Sequence, residues 1–161
     1  MNATLPDGHG HGPVRPVHLT WRYLGLVAAG GTVGTALRAL VTIAIPPLGH
    51  FPVATFGINI LGAFLLGALL EALARRGPDE GRRRVVRLLV GTGVLGGFTT
   101  YSALAVDANM LLTRDTVGTA LLYSLGTIVL GAVATWVGIA LSAALHRRRD
   151  ARKTPESGVG R

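Results

Sequence analysis

The sequence contains no cysteine and few charged residues, and acidic residues are the scarcest of these. Of its 161 residues 15% are charged and only 8 are Asp or Glu, whereas ordinary soluble domains are about 25% charged. Without cysteine the chain has no disulfide, no thiolate nucleophile and no cysteine metal site. The low charge argues against a soluble globule and against a disordered chain. With 49% hydrophobic residues, the composition indicates a membrane protein with room for one compact bundle.

Four long stretches are almost free of charge. They cover 23–45, 53–73, 85–112 and 117–145, and the last contains no charged residue. Each has at least about 20 residues, enough to cross a hydrocarbon core about 30 Å thick as a helix. We therefore predict an all-α integral membrane protein with four transmembrane helices over 21–146. The polar segments 1–20 and 147–161 are predicted to be disordered tails.

The basic residues are distributed unevenly along the chain. Of the 16 Lys and Arg residues, Arg38 lies within a span and Arg114 in the last loop, and the other 14 flank the termini and the middle loop. By the positive-inside rule, both termini are predicted to be cytoplasmic in a cell membrane. The formal charge of +8 would otherwise suggest nucleic-acid binding. Because the segments are so apolar, we expect the lipid bilayer as partner and no nucleic acid.

Asn59 is a polar side chain in the second stretch, among aliphatic residues (FGINILGAFLLG). An amide is costly in hydrocarbon unless it finds a partner. Two interpretations stay open. One is a hydrogen bond to another helix, worth about 0.6–2 kcal/mol. The other is a pore-lining group whose N–H groups face an anion.

The third stretch combines glycines with hydroxyl side chains in the segment GTGVLGGFTTYSALAVD. Glycine weakens a helix by about 1 kcal/mol per site, and hydroxyls can satisfy backbone groups that a break sets free. Half-helix ends of this kind hold ions in transport proteins. Close packing through Gly93-x-x-x-Gly97 is the alternative. Because packing does not explain the consecutive hydroxyl residues 99–102, we favour a broken helix.

No catalytic or metal-binding set is recognisable in the sequence. The 5 histidines lie outside the four stretches, and no Ser/His/Asp set or carboxylate pair converges. The segment Gly30-Gly31-x-x-Gly34 follows no strand, so it indicates a packing face and not a phosphate-binding loop. We therefore do not expect an enzyme.

Three segments together resemble the bacterial fluoride channels, the Fluc or CrcB family. They are GGTVGTALR (30–38), FPVATFGINILGAFLLG (51–67) and GVLGGFTTYSALAVD (93–107). The resemblance covers roughly 22–145, and it implies a four-helix channel domain whose third helix is broken. It also implies an antiparallel dimer with fluoride pores along the subunit interface. The implied function is passive export of fluoride, which relieves fluoride toxicity.

The resemblance implies site residues as well. Gly96 and Thr99 would hold a structural sodium ion at the dimer centre through backbone carbonyls, and oxygen ligands suit a hard cation. The implied fluoride pathway comprises Asn59, Thr100, Tyr101, Ser102, Leu104 and Tyr123.

The sequence departs from the family pattern in the third span. The family has TTFSTF, with two phenylalanines whose positive ring edges face fluoride, whereas this sequence has TTYSAL at 99–104. Tyr101 keeps an aromatic edge, but Leu104 keeps only bulk, so one pore element is expected to be compromised. Asp107 stands where a glutamate is common, and we expect it to be a carboxylate at the mouth or the interface.

Besides a purely structural membrane subunit, two alternatives to a self-sufficient fluoride channel stay open. The charge bias should forbid one sequence from inserting both ways, so the chain could need a homologous second subunit of opposite bias. A small proton-coupled multidrug exporter is the other. That chemistry needs a carboxylate deep in the membrane, whereas Glu71 and Asp107 lie near span ends.

Overall fold

The described part of the protein is helical throughout its spans. The computed structural model describes residues 20–113 and 116–151. The elements are α1 Trp21–Ala44, α2 Val53–Ala74, α3 Gly81–Val86, a π-helical segment Arg87–Leu95, α4 Gly96–Phe98, α5 Tyr101–Thr113 and α6 Val117–Ala151. They form 4 spans that are long and apolar enough to cross a membrane. The prediction of an all-α, multi-pass membrane protein is confirmed.

The third span has irregular backbone in its middle. The π-helical segment comes first, and after Phe98 the chain leaves helical geometry, because Thr99 is extended with φ −73° and ψ 157°. Helix begins again at Tyr101. Segments of π-helix occur frequently at functional sites, and here only the short α4 separates one from the predicted hydroxyl run.

Glycines allow α1 to lie very close to the third span. Gly30 and Gly34 are buried, and a Cβ atom added to Gly34 would overlap the carbonyl oxygen of Val94. A Cβ atom at Gly97 would likewise overlap the carbonyl oxygen of Gly31. Small residues permit such approach between membrane helices. The predicted packing face on α1 is confirmed, and Gly97 contributes to the same contact.

α2 packs along α6 in the same manner. A Cβ atom added to Gly67 of α2 would overlap the carbonyl oxygen of Thr135 of α6. A Cβ atom added to Gly138 of α6 would overlap the carbonyl oxygen of Phe64 of α2. The Thr135 hydroxyl donates to the Ala63 carbonyl at 3.3 Å. This contact fixes the position of α6 relative to α2, and thereby the position of Tyr123 on α6.

The loop between α1 and α2 folds back on itself. Leu48 and Phe51 exchange two backbone hydrogen bonds of 3.0 Å, with Gly49 at φ 62° between them. Only glycine adopts such a φ without strain. The turn positions the Phe51 ring so that it packs on the buried cluster of Leu104, Leu111, Ala120 and Tyr123.

The two ends of the chain are partly described. α6 continues to Ala151, so residues 147–151 of the predicted C-terminal tail are helical. Arginine is a good helix former, and basic side chains in the last turn of a helix interact favourably with the helix dipole. The remaining tail residues, 1–19 and 152–161, and residues 114–115 of the predicted last turn lie outside the described residues.

Candidate functional site

The amide of Asn59 bridges α2 to the interruption in the third span. Its Nδ2 donates to the Thr100 carbonyl at 3.0 Å, and the Thr100 N–H donates to its Oδ1 at 2.8 Å. Asn59 therefore supplies both hydrogen bonds that the Thr100 peptide groups would otherwise find in a helix. Of the two interpretations of Asn59, the structure shows the interhelical bond. Its contact with an anion stays a prediction.

The same pairing frees a backbone carbonyl before the interruption. In an α-helix the Gly96 carbonyl would accept the N–H of Thr100, which is instead donated to Asn59. The Thr99 carbonyl would accept the N–H of Ala103, which is instead donated to the Thr100 hydroxyl at 3.2 Å. Two carbonyls, three residues apart in the sequence, thus lose their helical donors. Their chemistry fits the predicted sodium site, because carbonyl oxygens are ligands for hard cations.

α2 contains a glycine where Thr99 needs room. A Cβ atom at Gly62 would overlap Cγ2 of Thr99. The Thr99 hydroxyl turns back to the Leu95 carbonyl at 2.9 Å, which leaves its methyl group toward α2. Gly62 is therefore part of the support for the interruption.

A cavity of about 540 Å³ opens between α1, α2 and α5 beside the interruption. Its polar lining comprises Arg38, Asp107 and four hydroxyl residues, Thr42, Thr55, Thr100 and Ser102. The Thr100 and Ser102 hydroxyls lie 3.1 Å apart. The remaining wall includes Ile58 and Val106. The cavity thus combines one basic residue and several hydroxyl donors, which an anion needs, with one carboxylate, Asp107.

Tyr123 lies at the centre of a buried cluster next to this cavity. Its side chain is fully buried, and its hydroxyl donates to Asp107 Oδ2 at 3.1 Å. The rings of Phe51 and Tyr123 meet edge to face at 5.6 Å, and the Phe56 ring lies 6.4 Å from Tyr123 in a tilted arrangement. Leu104 belongs to the same cluster and is 8% exposed. Asp107 thus joins the aromatic cluster to the cavity.

The predicted pathway residues fall into three places. Thr100 and Ser102 line the cavity, and Asn59 binds the backbone next to it. Leu104 and Tyr123 lie in the buried cluster. Tyr101 points away from the chain and is 80% exposed. A common pathway through all six positions stays a prediction, since one chain brings only some of them together.

Sequence reasoning missed Phe51, Phe56 and Thr55, and gave Arg38 no role. Arg38 had a usable signal, because it is the only charged residue of the stretch 23–45 and charges inside a membrane are usually functional. Phe51 and Phe56 had none, since isolated phenylalanines near a span end are common. Their edge-to-face contact at 5.4 Å becomes visible only once the loop is folded.

The carboxylates within the described spans are both engaged. Glu71 forms an ion pair with Arg75 one turn later, near the end of α2. Asp107 accepts the Tyr123 hydroxyl. A proton-coupled exporter needs a carboxylate that exchanges protons in the membrane interior. Neither residue has that placement.

Comparison with known proteins gives consistent matches. Residues 25–139 match the family model described as CrcB-like protein, Camphor Resistance (CrcB). The chain is 58% identical over 134 residues to the fluoride-specific ion channel FluC 2 of Leifsonia xyli subsp. xyli, covering 83% of this chain and 92% of that protein. It is 46% identical over 118 residues to FluC 1 of Cutibacterium acnes, covering 73% and 82%. It is 41% identical over 119 residues to FluC of Novosphingobium aromaticivorans, covering 71% and 91%.

Proposed function

The chain belongs to the CrcB family, and on that basis we propose that it is a fluoride-specific ion channel subunit. It would lower cytoplasmic fluoride by passive export of the anion and so relieve fluoride toxicity. The observation that carries the proposal is the 58% identity to a relative bearing that name, over 83% of the chain. The family model, which matches residues 25–139, covers every residue that lines the cavity.

The chemistry of the cavity supports an anion pathway. Fluoride must exchange its water shell for hydrogen-bond donors, and pore walls supply such donors in selective channels. The Thr100 and Ser102 hydroxyls are donors of this kind, and the half-buried Arg38 adds a positive charge. In this proposal fluoride passes these groups, and the ring edges near Tyr123 provide further positive surface.

A structural sodium ion is part of the same proposal. The Gly96 and Thr99 carbonyls, whose helical donors go to Asn59 and to the Thr100 hydroxyl, would be its ligands. One chain supplies too few oxygens for a closed site, so a second copy would complete it. The ion would supply positive charge at the centre of the assembly.

An antiparallel dimer would provide that second copy. Large apolar side chains such as Leu37, Leu40 and Ile43 of α1 are exposed on the single chain, as is the ring of Tyr101. In a two-fold dimer the same patch meets itself. The Tyr101 ring would then complete the pathway of the partner subunit. Both termini are proposed to be cytoplasmic in this subunit, from the placement of its arginines.

Growth in fluoride tests the proposed function in cells. A bacterium without its own fluoride exporter should tolerate more fluoride when it expresses this chain, and Asn59→Leu should abolish the gain. Asn109→Leu is the matched control, because Asn109 is exposed on α5. No gain in tolerance from a chain that is present in the membrane would contradict the proposal.

A second candidate is a subunit that conducts only with a homologous partner. The observation that favours it is that 14 of the 16 basic residues flank the termini and the middle loop, a bias that should prevent dual insertion. The buried Leu104 agrees, because it lacks the ring edge expected at one pore element.

Mapping the termini in cells separates the two candidates. A fixed-orientation subunit should have nearly all of its C-termini in the cytoplasm, and fluoride tolerance should appear only with the partner gene. Two populations of opposite orientation and comparable size would refute the fixed-orientation subunit and would favour the self-pairing channel.

A further inference from the structure

A basic cleft lies where α2 and α6 end together, far from the cavity beside Thr100. It has a volume of about 200 Å³ and is lined by Ala72, Arg76, Ser142, Leu145, His146 and Arg149. The α6 residues follow the spacing i, i+3, i+4 and i+7, so they share one face of the helix. The cleft therefore combines the apolar side chains of Ala72 and Leu145 with the Ser142 hydroxyl and with basic residues.

The arginines of the cleft differ from two nearby arginines that are paired with carboxylates. Arg75 pairs with Glu71, and Arg87 binds Asp79 at 2.6 Å. Within residues 20–113 and 116–149, by contrast, the side chains of Arg76 and Arg149 make no hydrogen bond or ion pair with the protein. Two guanidinium groups thus face one cleft with their donors available.

The backbone at Arg76 is held in place from the loop. The Arg83 guanidinium donates to the Arg76 carbonyl at 2.5 Å and to the Pro78 carbonyl at 2.8 Å. This clamp fixes the end of α2 against the loop. The backbone at Arg76 is therefore held by hydrogen bonds, which limits where the Arg76 side chain can lie.

The depth of the cleft matches that of lipid headgroups. At 1.5 Å per residue, His146 lies about 44 Å along α6 from Val117, the first residue of the helix. A bilayer measures about 40–45 Å when its headgroup regions are included. If Val117 lies at one surface of the bilayer, the end of the cleft at His146 lies among the lipid headgroups of the opposite surface.

We propose that this cleft binds the phosphate group of an anionic phospholipid, with its acyl chains along Ala72 and Leu145. Arg76 and Arg149 donate to the phosphate oxygens as charge-assisted hydrogen bonds, and the Ser142 hydroxyl offers a further donor. Basic pockets between membrane helices bind anionic headgroups in this manner. The proposal is independent of fluoride transport, because the cleft shares no residue with the cavity.

Native mass spectrometry of the purified full chain tests the site. The probes are dioleoyl phosphatidylglycerol, zwitterionic dioleoyl phosphatidylcholine and inorganic phosphate. One tightly held phosphatidylglycerol should be retained over phosphatidylcholine. The double variant Arg76→Gln/Arg149→Gln should weaken this retention about 150-fold, because each arginine loses a hydrogen bond to a charged group worth about 1.5 kcal/mol. Arg76→Lys/Arg149→Lys should recover most of it, which shows that the protein still folds.

The matched control removes the same charge from the same region. Arg147 and Arg148 lie beside Arg149 but outside the cleft, so Arg147→Gln/Arg148→Gln should retain the lipid nearly as the parent does. Equal losses in both double variants would overturn the proposal in favour of unspecific attraction to basic surface. Displacement of the lipid by millimolar inorganic phosphate would also overturn it, and would assign the cleft to a soluble phosphate.

Discussion

Asn59 and Thr100 are 41 positions apart, and one side-chain amide pairs with both backbone groups of the other residue. The pairing replaces helical hydrogen bonds where the third span is interrupted. Within a membrane an unpaired peptide group costs several kcal/mol. The interruption therefore depends on a side chain from another helix, and the carbonyls of Gly96 and Thr99 depend on it in turn.

Asn59→Leu should destabilise the protein and stop fluoride flux. Leucine keeps the volume but leaves the Thr100 N–H and C=O without partners, at about 1–3 kcal/mol for each buried group. Thermal unfolding in detergent and fluoride efflux from liposomes measure the two effects. Asn109→Leu, the same change at an exposed position of α5, should leave both unchanged. Parent-like flux in Asn59→Leu would contradict the assigned role.

Gly62→Ala should disturb the interruption through Thr99. The added methyl group would overlap Thr99 Cγ2, whereas Gly57→Ala on the same helix meets no atom within 4 Å. We expect a clear loss of thermal stability and flux for Gly62→Ala and little change for Gly57→Ala. The double variant Gly62→Ala/Thr99→Ser removes the overlapping methyl group and should restore most of the loss. Failure of that rescue would show that Thr99 is not the contact that matters.

Sodium removal should lower the stability of the protein if the carbonyls of Gly96 and Thr99 hold the ion. At about 100 times its dissociation constant, a ligand of the folded state adds about 2.7 kcal/mol. Melting temperatures should therefore fall when sodium chloride is replaced by choline chloride at equal ionic strength. Asn59→Leu should lose most of this sensitivity, because the Thr100 N–H is then free for the Gly96 carbonyl. Equal melting temperatures of the parent in both salts would contradict the sodium site.

Acid should weaken the loop that links the second and third spans. The hydrogen bond from Arg87 lowers the pKa of the Asp79 carboxyl, and the charges of Arg87, Arg84 and Arg83 act in the same direction. A lowered pKa stabilises the fold above the unfolded value of about 3.9, and the contribution is lost as pH falls through the folded value.

Asp79→Asn should therefore melt slightly below the parent at pH 7, and the gap should close as the pH approaches 3. The effect is small because the carboxylate is largely exposed to solvent and screened. Glu80→Gln, one residue later and also exposed, is the matched control and should leave melting unchanged at both pH values. A difference in melting temperature that widens toward pH 3 would contradict the lowered pKa of Asp79.

The helices could be predicted from the sequence because hydrocarbon excludes charge. Stretches without ionisable groups are both necessary and recognisable, so the bounds of α1 and α2 follow closely from composition. The end of α6 could not be found in this way. Beyond the membrane its arginines are compatible with either helix or coil, and the helix continues to Ala151.

The site could be predicted only in part. Asn59 and the hydroxyl run are conspicuous because polar groups are rare in a span, but sequence does not give the direction of a side chain. Tyr101 faces outward while Leu104 is buried, although both belong to one motif. The ring cluster around Tyr123 joins α6 to the first loop, and such distant contacts depend on packing that no local pattern encodes.

Fluoride and chloride efflux from liposomes containing the purified chain tests the central claim most directly. Our account predicts rapid loss of trapped fluoride and retention of chloride under the same potential. If a homologous subunit is required, the same selectivity should appear once that partner is added. Chloride loss at a rate comparable with that of fluoride, or retention of fluoride both with and without the partner, would contradict the account.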